Sequence, residues 1–475
     1  MDSHTKQGIL HNTVFIFLTK LVDIAAGFAT VVLLARFLNP GGFGTYSFVI
    51  TIFLVAQPLV NLELDKLVIR ELSTAVSPGK IINQVYTFKS LLIVLFLPLG
   101  LAVLFWPGFS HLARALFLCL AAEVLIQYNL LHSGLFIYFH KTLYDTRANA
   151  CAKMFYIVYL AGCWFFHLSL DAVFLGYLMS HAIRFAITRR RVQALAGPLR
   201  FSLSKQKALY LFKEALPLTM AAFFIGLTFR IDIFFLKLFA GMPAVGLFQS
   251  VHRYILIIQI VPVAVTQAIF PSLSRMSAEH SSRLYGRVFF LLNACASAVV
   301  MINLMFHEPL VLLLFGPAYS PAYQALIILA PVSIFLFLDY LNTLALTALK
   351  RQRFLVISGS AALVCNTLLD YLLIPTLGLS GAAIGTLSGY CLLFVISFWC
   401  LPRALHPLAR DKRFWLNALL LLLLMLALAM GYNPSWPLRV AITAGYMAVL
   451  FFTSRTAQLL SELRLLWRAR REDRS

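Results

Sequence analysis

The chain has 475 residues, 61% of them apolar and only 12% charged, with a mean hydropathy of +0.86. These values lie far beyond those of water-soluble domains and give an integral membrane protein. The net charge of +21 is not a nucleic-acid signal, because the bases cluster beside apolar runs: "RRR" at 189–191, "KRQR" at 350–353 and "RLLWRARREDR" at 464–474 read as orientation signals against anionic headgroups.

Apolar runs of about 20 residues recur along the chain, each long enough to cross a hydrocarbon core of roughly 30 Å as a helix. Stretches such as "LLIVLFLPLGLAVLFW" (91–106) and "LLLLMLALAM" (421–430) alternate nothing, which excludes a β-barrel. The fold class is therefore an all-α polytopic membrane protein. Fourteen spans are predicted in chain order, near 13–37, 43–64, 81–106, 111–138, 148–167, 171–188, 214–239, 243–270, 286–307, 321–348, 354–376, 378–401, 414–431 and 437–453. The polar start "MDSHTKQGILHN" precedes a run without a small-residue cleavage site, so the first span is read as retained. With both termini cytoplasmic, most Lys and Arg fall in the alternate connections and the tails, and few on the opposite side. The longest cytoplasmic connection, from about 189 to 213, is too short for a folded domain.

The spans carry an internal repeat. "ARFLNPGGFGTYSFV" follows span one and "LKLFAGMPAVGLFQSV" follows span seven, aligning Gly44 with Gly246, 202 positions later. "LSLDAVFLGY" opens span six and "LGLSGAAIGT" opens span twelve, aligning Leu170 with Leu379 and Gly176 with Gly385 at an offset of 209. Two six-helix lobes follow, 1–190 and 214–402, joined by a basic linker at 191–213 and related by a pseudo-twofold axis along the membrane normal. Residues 403–475 form two added helices and a basic tail. Parallel repeats of this kind occur in transporters.

Ionisable side chains inside a bilayer are costly and normally face a partner or a cavity. In span one, Lys20 and Asp23 stand three apart as a neutralising pair. Glu63, Lys66 and Arg70 form a stripe at the cytoplasmic end of span two. Lys89 and Glu123 follow in spans three and four. In "TFRIDIFFLKLFAG" (228–241), Arg230 and Lys237 are seven apart and share one helical face, whereas Asp232 points elsewhere. In span eight, Gln249, Arg253 and Gln267 share a face. Acids at Asp23, Glu123, Asp232, Asp339 and Asp370 offset the in-span bases, so counting alone does not make a cavity cationic. For each base a structural ion pair or a snorkelling end competes with substrate contact. Arg230 and Arg253 read as substrate contacts, with Lys20, Lys237, Arg70 and Gln249 as further candidates. Asp23, Asp232 and Glu123 are the candidate coupling-ion groups. Pro58, Pro98, Pro217, Pro262 and Pro331 are candidate bend points. The seven cysteines form no C-x-x-C and read as apolar fillers, not metal ligands.

The stretches "LLARFLNPGGFGTYSFV" (33–49), "LVIREL" (67–72), "AVGLFQSVHRY" (244–254) and "LLDYLLIPTLGLSGAAIGTLSGY" (368–390) resemble the bacterial polysaccharide and oligosaccharide-lipid flippases called Wzx. These belong to the MOP superfamily, with the MATE drug exporters. The chain departs from the pattern at Asp65 and Lys66, where a small residue, often Gly, is expected. The resemblance implies two lobes around a cavity that opens alternately to each side. It implies cationic side chains for the pyrophosphate of an undecaprenyl-linked glycan, moved between leaflets of the bacterial cytoplasmic (inner) membrane, with membrane lipids and other polysaccharide-assembly proteins as partners. Arginine suits that headgroup because its planar fork holds a diphosphate bidentately. The alternative is a MATE-like exporter of organic cations.

No cofactor is expected. No Walker A loop is present, which argues against direct use of ATP and leaves Na+ or H+ as candidate coupling ions, with the energy source not legible in the sequence. An enzyme is disfavoured: "HLSLD" (167–171) resembles an acyltransferase motif, but its acid is one residue too near the histidine.

Overall fold

The computed structural model describes residues 3–73, 77–104, 112–198, 200–273, 278–349, 351, 353–402, 405, 420, 421, 423–425, 428 and 434–453. Within these, side chains are described except at 3–21, 103, 104, 221, 225, 267, 268, 270–273, 278–283, 448, 449 and 451–453. Among the described residues the chain is helical, without strands. The helices are α1 (Ser3–Asn61), α2 (Leu64–Ser73), α3 (Pro78–Leu104), α4 (Ala113–Tyr138), α5 (Thr142–Phe165), α6 (Leu170–Ala196), α7 (Lys205–Thr228) and α8 (Ile231–Ile257). They continue with α9 (Ile260–Leu273), α10 (Ala278–Phe315), α11 (Ala322–Leu329), α12 (Val332–Ala348), α13 (Arg353–Leu377), α14 (Leu379–Trp399) and α15 (Trp436–Thr453). The span expected at 414–431 lies mostly outside the described residues.

Eight described segments are long and apolar enough to cross a membrane, or nine if α11 and α12, bent by 41° at their junction, form one span. The protein is thus a multi-pass membrane protein. Two of these segments, Val22–Ser73 and Lys205–Thr266, have 52 and 62 residues, more than twice the roughly 20 that one crossing requires. The outward faces agree with a lipid surround: Val94, Leu95 and Leu99 on α3 and Val364, Leu368 and Leu372 on α13 are all exposed.

The long segments are broken at defined places. In α1 the backbone leaves helical geometry at Asn39, with φ 56° and ψ 171°. Pro40 follows, and a residue before proline is pushed out of the α region. The same break recurs in α8, 202 positions on, at Gly241 with φ 81° and ψ 176°. The conformation suits glycine; asparagine tolerates it at a cost. Thus the aligned segments share a backbone device as well as a sequence pattern. Most other breaks are not at the expected prolines. Pro58, Pro98 and Pro217 lie inside continuous helix, whereas the chain turns at Leu62–Glu63, both with positive φ, and at 229–230. Of the five prolines, Pro331 does mark a bend, capping α12 at the 41° junction, and Pro262 stands in the first turn of α9 just after the turn at 258–259.

The chain divides into two compact units, Met1–Ile233 and Phe234–Ser475. In the first, α2 is the organising piece. Its apolar side, Leu64, Leu67, Val68 and Leu72, packs with Val85 and Phe88 of α3, Leu131 and Leu135 of α4, and Leu211 and Ala215 of α7. Residues 191–233 therefore belong to the first unit. Gly134 permits the approach of α4, since a Cβ there would stand 2.5 Å from the Asp65 carbonyl oxygen.

In the second unit, α10 and α12 share a core of Tyr285, Phe289, Phe337 and Leu341. The α13–α14 hairpin is drawn together by glycines four residues apart on α14. A Cβ at Gly381 would lie 2.6 Å from the Leu373 backbone, one at Gly385 would strike Asp370, and one at Gly389 would touch Asn366. Small residues at this spacing allow close approach of membrane helices. Gly176, the repeat equivalent of Gly385, does the same for α5 and α6, lying under the ring of Tyr159.

Candidate functional site

Charged and polar side chains in the first unit converge on α5. Asp145, Asn149 and Lys153 follow one another at four-residue intervals and so share a helical face. Lys153 Nζ lies 2.6 Å from Asp23 Oδ1 on α1, and Asn149 Nδ2 donates to the same oxygen at 2.7 Å. One turn away, Asp145 Oδ1 accepts a 2.8 Å bond from Arg184 Nη2 of α6. The same Arg184 nitrogen donates to Ser133 Oγ of α4 at 3.0 Å. Two ion pairs thereby tie α1, α5 and α6, and the Ser133 bond adds α4. The Arg184–Asp145 pair is largely buried, at 17% and 12% side-chain exposure, and the Lys153–Asp23 pair is half-buried.

This stripe gives Asp23 two partners that the expected pairing with Lys20 did not include. The described partners of Asp23 come from α5, because a neighbour across a helix interface can bring its ammonium to the carboxylate directly. The Lys20 side chain lies outside the described residues. The sequence reading missed Lys153, Arg184, Asp145 and Asn149; the signal was the i, i+4, i+8 polar spacing inside an otherwise apolar helix.

A second network surrounds Lys89 of α3, which is 0% exposed. Its Nζ donates to Asn61 Oδ1 at 2.7 Å, to Gln127 Oε1 at 2.5 Å and to the Asn61 carbonyl at 3.4 Å. An ammonium has three donors, and these acceptors occupy them. Gln127 Nε2 in turn donates to Glu123 Oε1 at 2.5 Å, so a buried base and a buried acid are joined through one amide. Glu123 and Gln127 form the polar edge of a cavity of about 260 Å³ otherwise lined by apolar residues such as Ile93, Phe96 and Leu120.

The remaining predicted residues have identifiable surroundings. Arg230 is not on a continuous helix: it sits in the turn between α7 and α8. Its Nη1 folds back to the Gly226 carbonyl at 2.8 Å. Asp232, 1% exposed, stands in the first turn of α8 and accepts the Ile233 N–H at 3.1 Å. A cation at a helix C-terminus and an anion at an N-terminus both complement the backbone dipole. The charges in "TFRIDIFFLKLFAG" thus mark a broken helix, and the expected common face of Arg230 and Lys237 gives way to a turn residue and a half-buried residue of α8. In the second unit, Arg253 Nε donates to Gln249 Oε1, one turn back on α8, at 3.1 Å; Gln249 is buried and Arg253 half-buried. The Gln267 side chain lies outside the described residues. Arg70 is exposed at the end of α2, paired with Glu214 Oε2 of α7 at 2.6 Å, and Lys66 pairs with Glu63.

Against known proteins, residues 9–277 match the family described as "Polysaccharide biosynthesis protein". The chain is 24% identical over 254 residues to the probable flippase AglR of Haloferax volcanii, a match that covers 49% of this chain and about half, 53%, of that relative. Among solved structures, the lipid II flippase MurJ in an inward closed conformation superposes with a TM-score of 0.71 at 12% identity, covering 95% of this chain and 100% of the other. An inward-facing multidrug resistance MATE transporter of the MOP superfamily gives 0.62 at 14%, covering 85% and 95%. The likeness to these structures is one of fold. Matched over more than half its length, the chain belongs to the polysaccharide biosynthesis protein family.

Proposed function

We propose that this protein is an alternating-access flippase. It moves a polyprenyl-pyrophosphate-linked oligosaccharide, the repeat unit of an O-antigen, capsule or exopolysaccharide, from the inner to the outer leaflet of a bacterial cytoplasmic membrane. The observation that carries this reading is the family match over 9–277, a region that holds the ion pairs of α1, α5 and α6 and the broken helix at Arg230. A flippase needs charge held inside apolar helices to draw an anionic headgroup out of water, and broken transmembrane helices present such groups near the midplane. In this reading fourteen spans place both termini in the cytoplasm, two lobes flank the path, and Arg230 and Arg253 contact the pyrophosphate. The named relatives are flippases and transporters, and the chain acts as one of these and not as an enzyme.

The test is the exposure of lipid-linked glycan to an external lectin in spheroplasts. Joint replacement Arg230→Gln and Arg253→Gln is expected to lower it at least tenfold, ~1.4 kcal/mol or more of lost stabilisation. Arg230→Lys, which keeps the cap charge but not the fork, should restore the fold with partial transport. Unchanged lectin binding with protein at the wild-type level would refute the reading.

A second reading, a MATE-like cation-coupled exporter, draws on the Asp23 carboxylate, an in-span acid that holds the Lys153 ammonium and is the candidate group for a coupling Na+ or H+. Under it, Asp23→Asn abolishes efflux of an organic cation while the two arginine replacements leave efflux intact.

A further inference from the structure

A cavity of about 270 Å³ opens where α3, α4 and α6 end beside the 197–204 connection, within the first unit. Its walls are aromatic. Tyr86 and Tyr128 stack at 6.1 Å, His132 and Phe185 stack at 5.6 Å, and Tyr86 faces His132 at 5.8 Å. The connection is pinned over the opening by two bonds to α3, from Arg200 N–H to Asn83 Oδ1 at 2.9 Å and from Ser202 N–H to Thr87 Oγ1 at 3.0 Å.

Two features set this cavity apart from a packing void. The first is buried hydrogen-bonding capacity left over. His132, 0% exposed, bonds Thr188 through Nδ1 at 2.7 Å, which turns Nε2 the other way; that atom and the Tyr86 hydroxyl have no partner among the described residues. Both residues line the cavity. Buried polar atoms are nearly always satisfied, so two orphans on side chains that line one cavity point to a ligand that enters beside them. The second feature is charge at the rim. Arg189 and Arg200 also line the cavity and are exposed, and among the described residues neither is ion-paired with a carboxylate. Arg189 rests on the Phe185 ring at 5.6 Å, and Phe201, beside Arg200, is 84% exposed. Two arginines at one rim present forks suited to phosphate, and an exposed phenyl ring beside them fits the boundary between headgroups and acyl chains.

We infer that this cavity binds the headgroup of an anionic phospholipid from the surrounding leaflet. The phosphodiester sits on Arg189 and Arg200, and an ester carbonyl or headgroup hydroxyl reaches the Tyr86 hydroxyl and His132 Nε2. The first carbons of a chain lie against the aromatic walls. Basic pockets between membrane helices take lipid headgroups on this principle. The site is separate from the Asp23–Lys153 and Lys89 networks, and its occupancy would brace α3, α4, α6 and the connection that joins α6 to α7.

The full chain, reconstituted in phosphatidylcholine vesicles, is exposed to a photoactivatable phosphatidylglycerol. Crosslinks are expected on the segments holding Tyr86, Tyr128 and Arg189–Phe201, saturable and displaced by unlabelled phosphatidylglycerol but not by added phosphatidylcholine. The double variant Arg189→Ala, Arg200→Ala is expected to lower the yield at least about fivefold, and Tyr86→Phe, which removes only the hydroxyl, about twofold. Helicity and elution volume verify that each variant is folded. Labelling of the double variant at the wild-type level, or equal labelling by a phosphatidylcholine probe, overturns the inference. Displacement by undecaprenyl phosphate at lower concentration than by phosphatidylglycerol overturns the phospholipid source and assigns the same phosphate site to an isoprenoid lipid.

Discussion

A single side chain inside these helices is tolerable only through its partner, and the partners divide into two kinds. Arg230 and Asp232 each hold a local partner, the Gly226 carbonyl and the Ile233 N–H, at a helix break. Arg184 and Asp145 are satisfied across an interface. For the second kind, removing one partner leaves a charge stranded, whereas removing both leaves a merely apolar contact. Arg184→Leu is therefore expected to destabilise the folded protein by about 3 kcal/mol, and Arg184→Leu with Asp145→Leu to recover more than half of that loss. Thermal unfolding in detergent measures both; equal losses would show that the pair carries no coupling. The Lys153–Asp23 pair, more exposed, is expected to contribute only about 1 kcal/mol in the same measurement. Charge held near a helix end follows a rule and was legible in principle, although the sequence reading kept Arg230 and Asp232 inside one span. Lys153 and Arg184 were not legible, because the sequence gives the spacing on one helix but not which helix faces it.

At the scale of elements, glycines and breaks do most of the shaping. "LSGAAIGTLSGY", part of both the repeat and the family resemblance, has a physical content: Gly381, Gly385 and Gly389 form the seam against α13. Gly381→Leu must push the Leu373 backbone away, and a loss of about 3 kcal/mol or failure to accumulate is expected, read by fluorescence-detected size exclusion. Gly162→Ala, where a Cβ meets nothing within 4 Å, is the contrasting case and is expected to be neutral or to stabilise by up to ~1 kcal/mol. If both behaved alike, the seam would have no special role. The kink at Asn39 makes a parallel case: Asn39→Gly relieves a conformation that glycine prefers, whereas Asn39→Val adds a branched side chain where φ is 56°. Valine, not glycine, is expected to lower the yield of folded protein.

For the whole molecule, the proposed topology makes a direct prediction. In a cysteine-free background, an impermeant maleimide added to intact cells should label Ser169→Cys, just before α6, and should reach Arg190→Cys, near its other end, only after permeabilisation. The reverse pattern would invert the protein in the bilayer and place Arg189 and Arg200 on the outer leaflet. Fold class and family resemblance were readable from 475 residues, because apolar length and local motifs are properties of the chain taken locally. The doubled kink at Asn39 and Gly241 was foreshadowed by the repeat for the same reason. What only the tertiary structure decided is which charge meets which. Lys153 reaches Asp23 from 130 residues away, Lys89 finds Asn61 and Gln127, and 191–233 joins the first unit although it follows the sixth expected span. Burial and pairing depend on which helix faces are brought into contact, and no local pattern in a one-dimensional string specifies that.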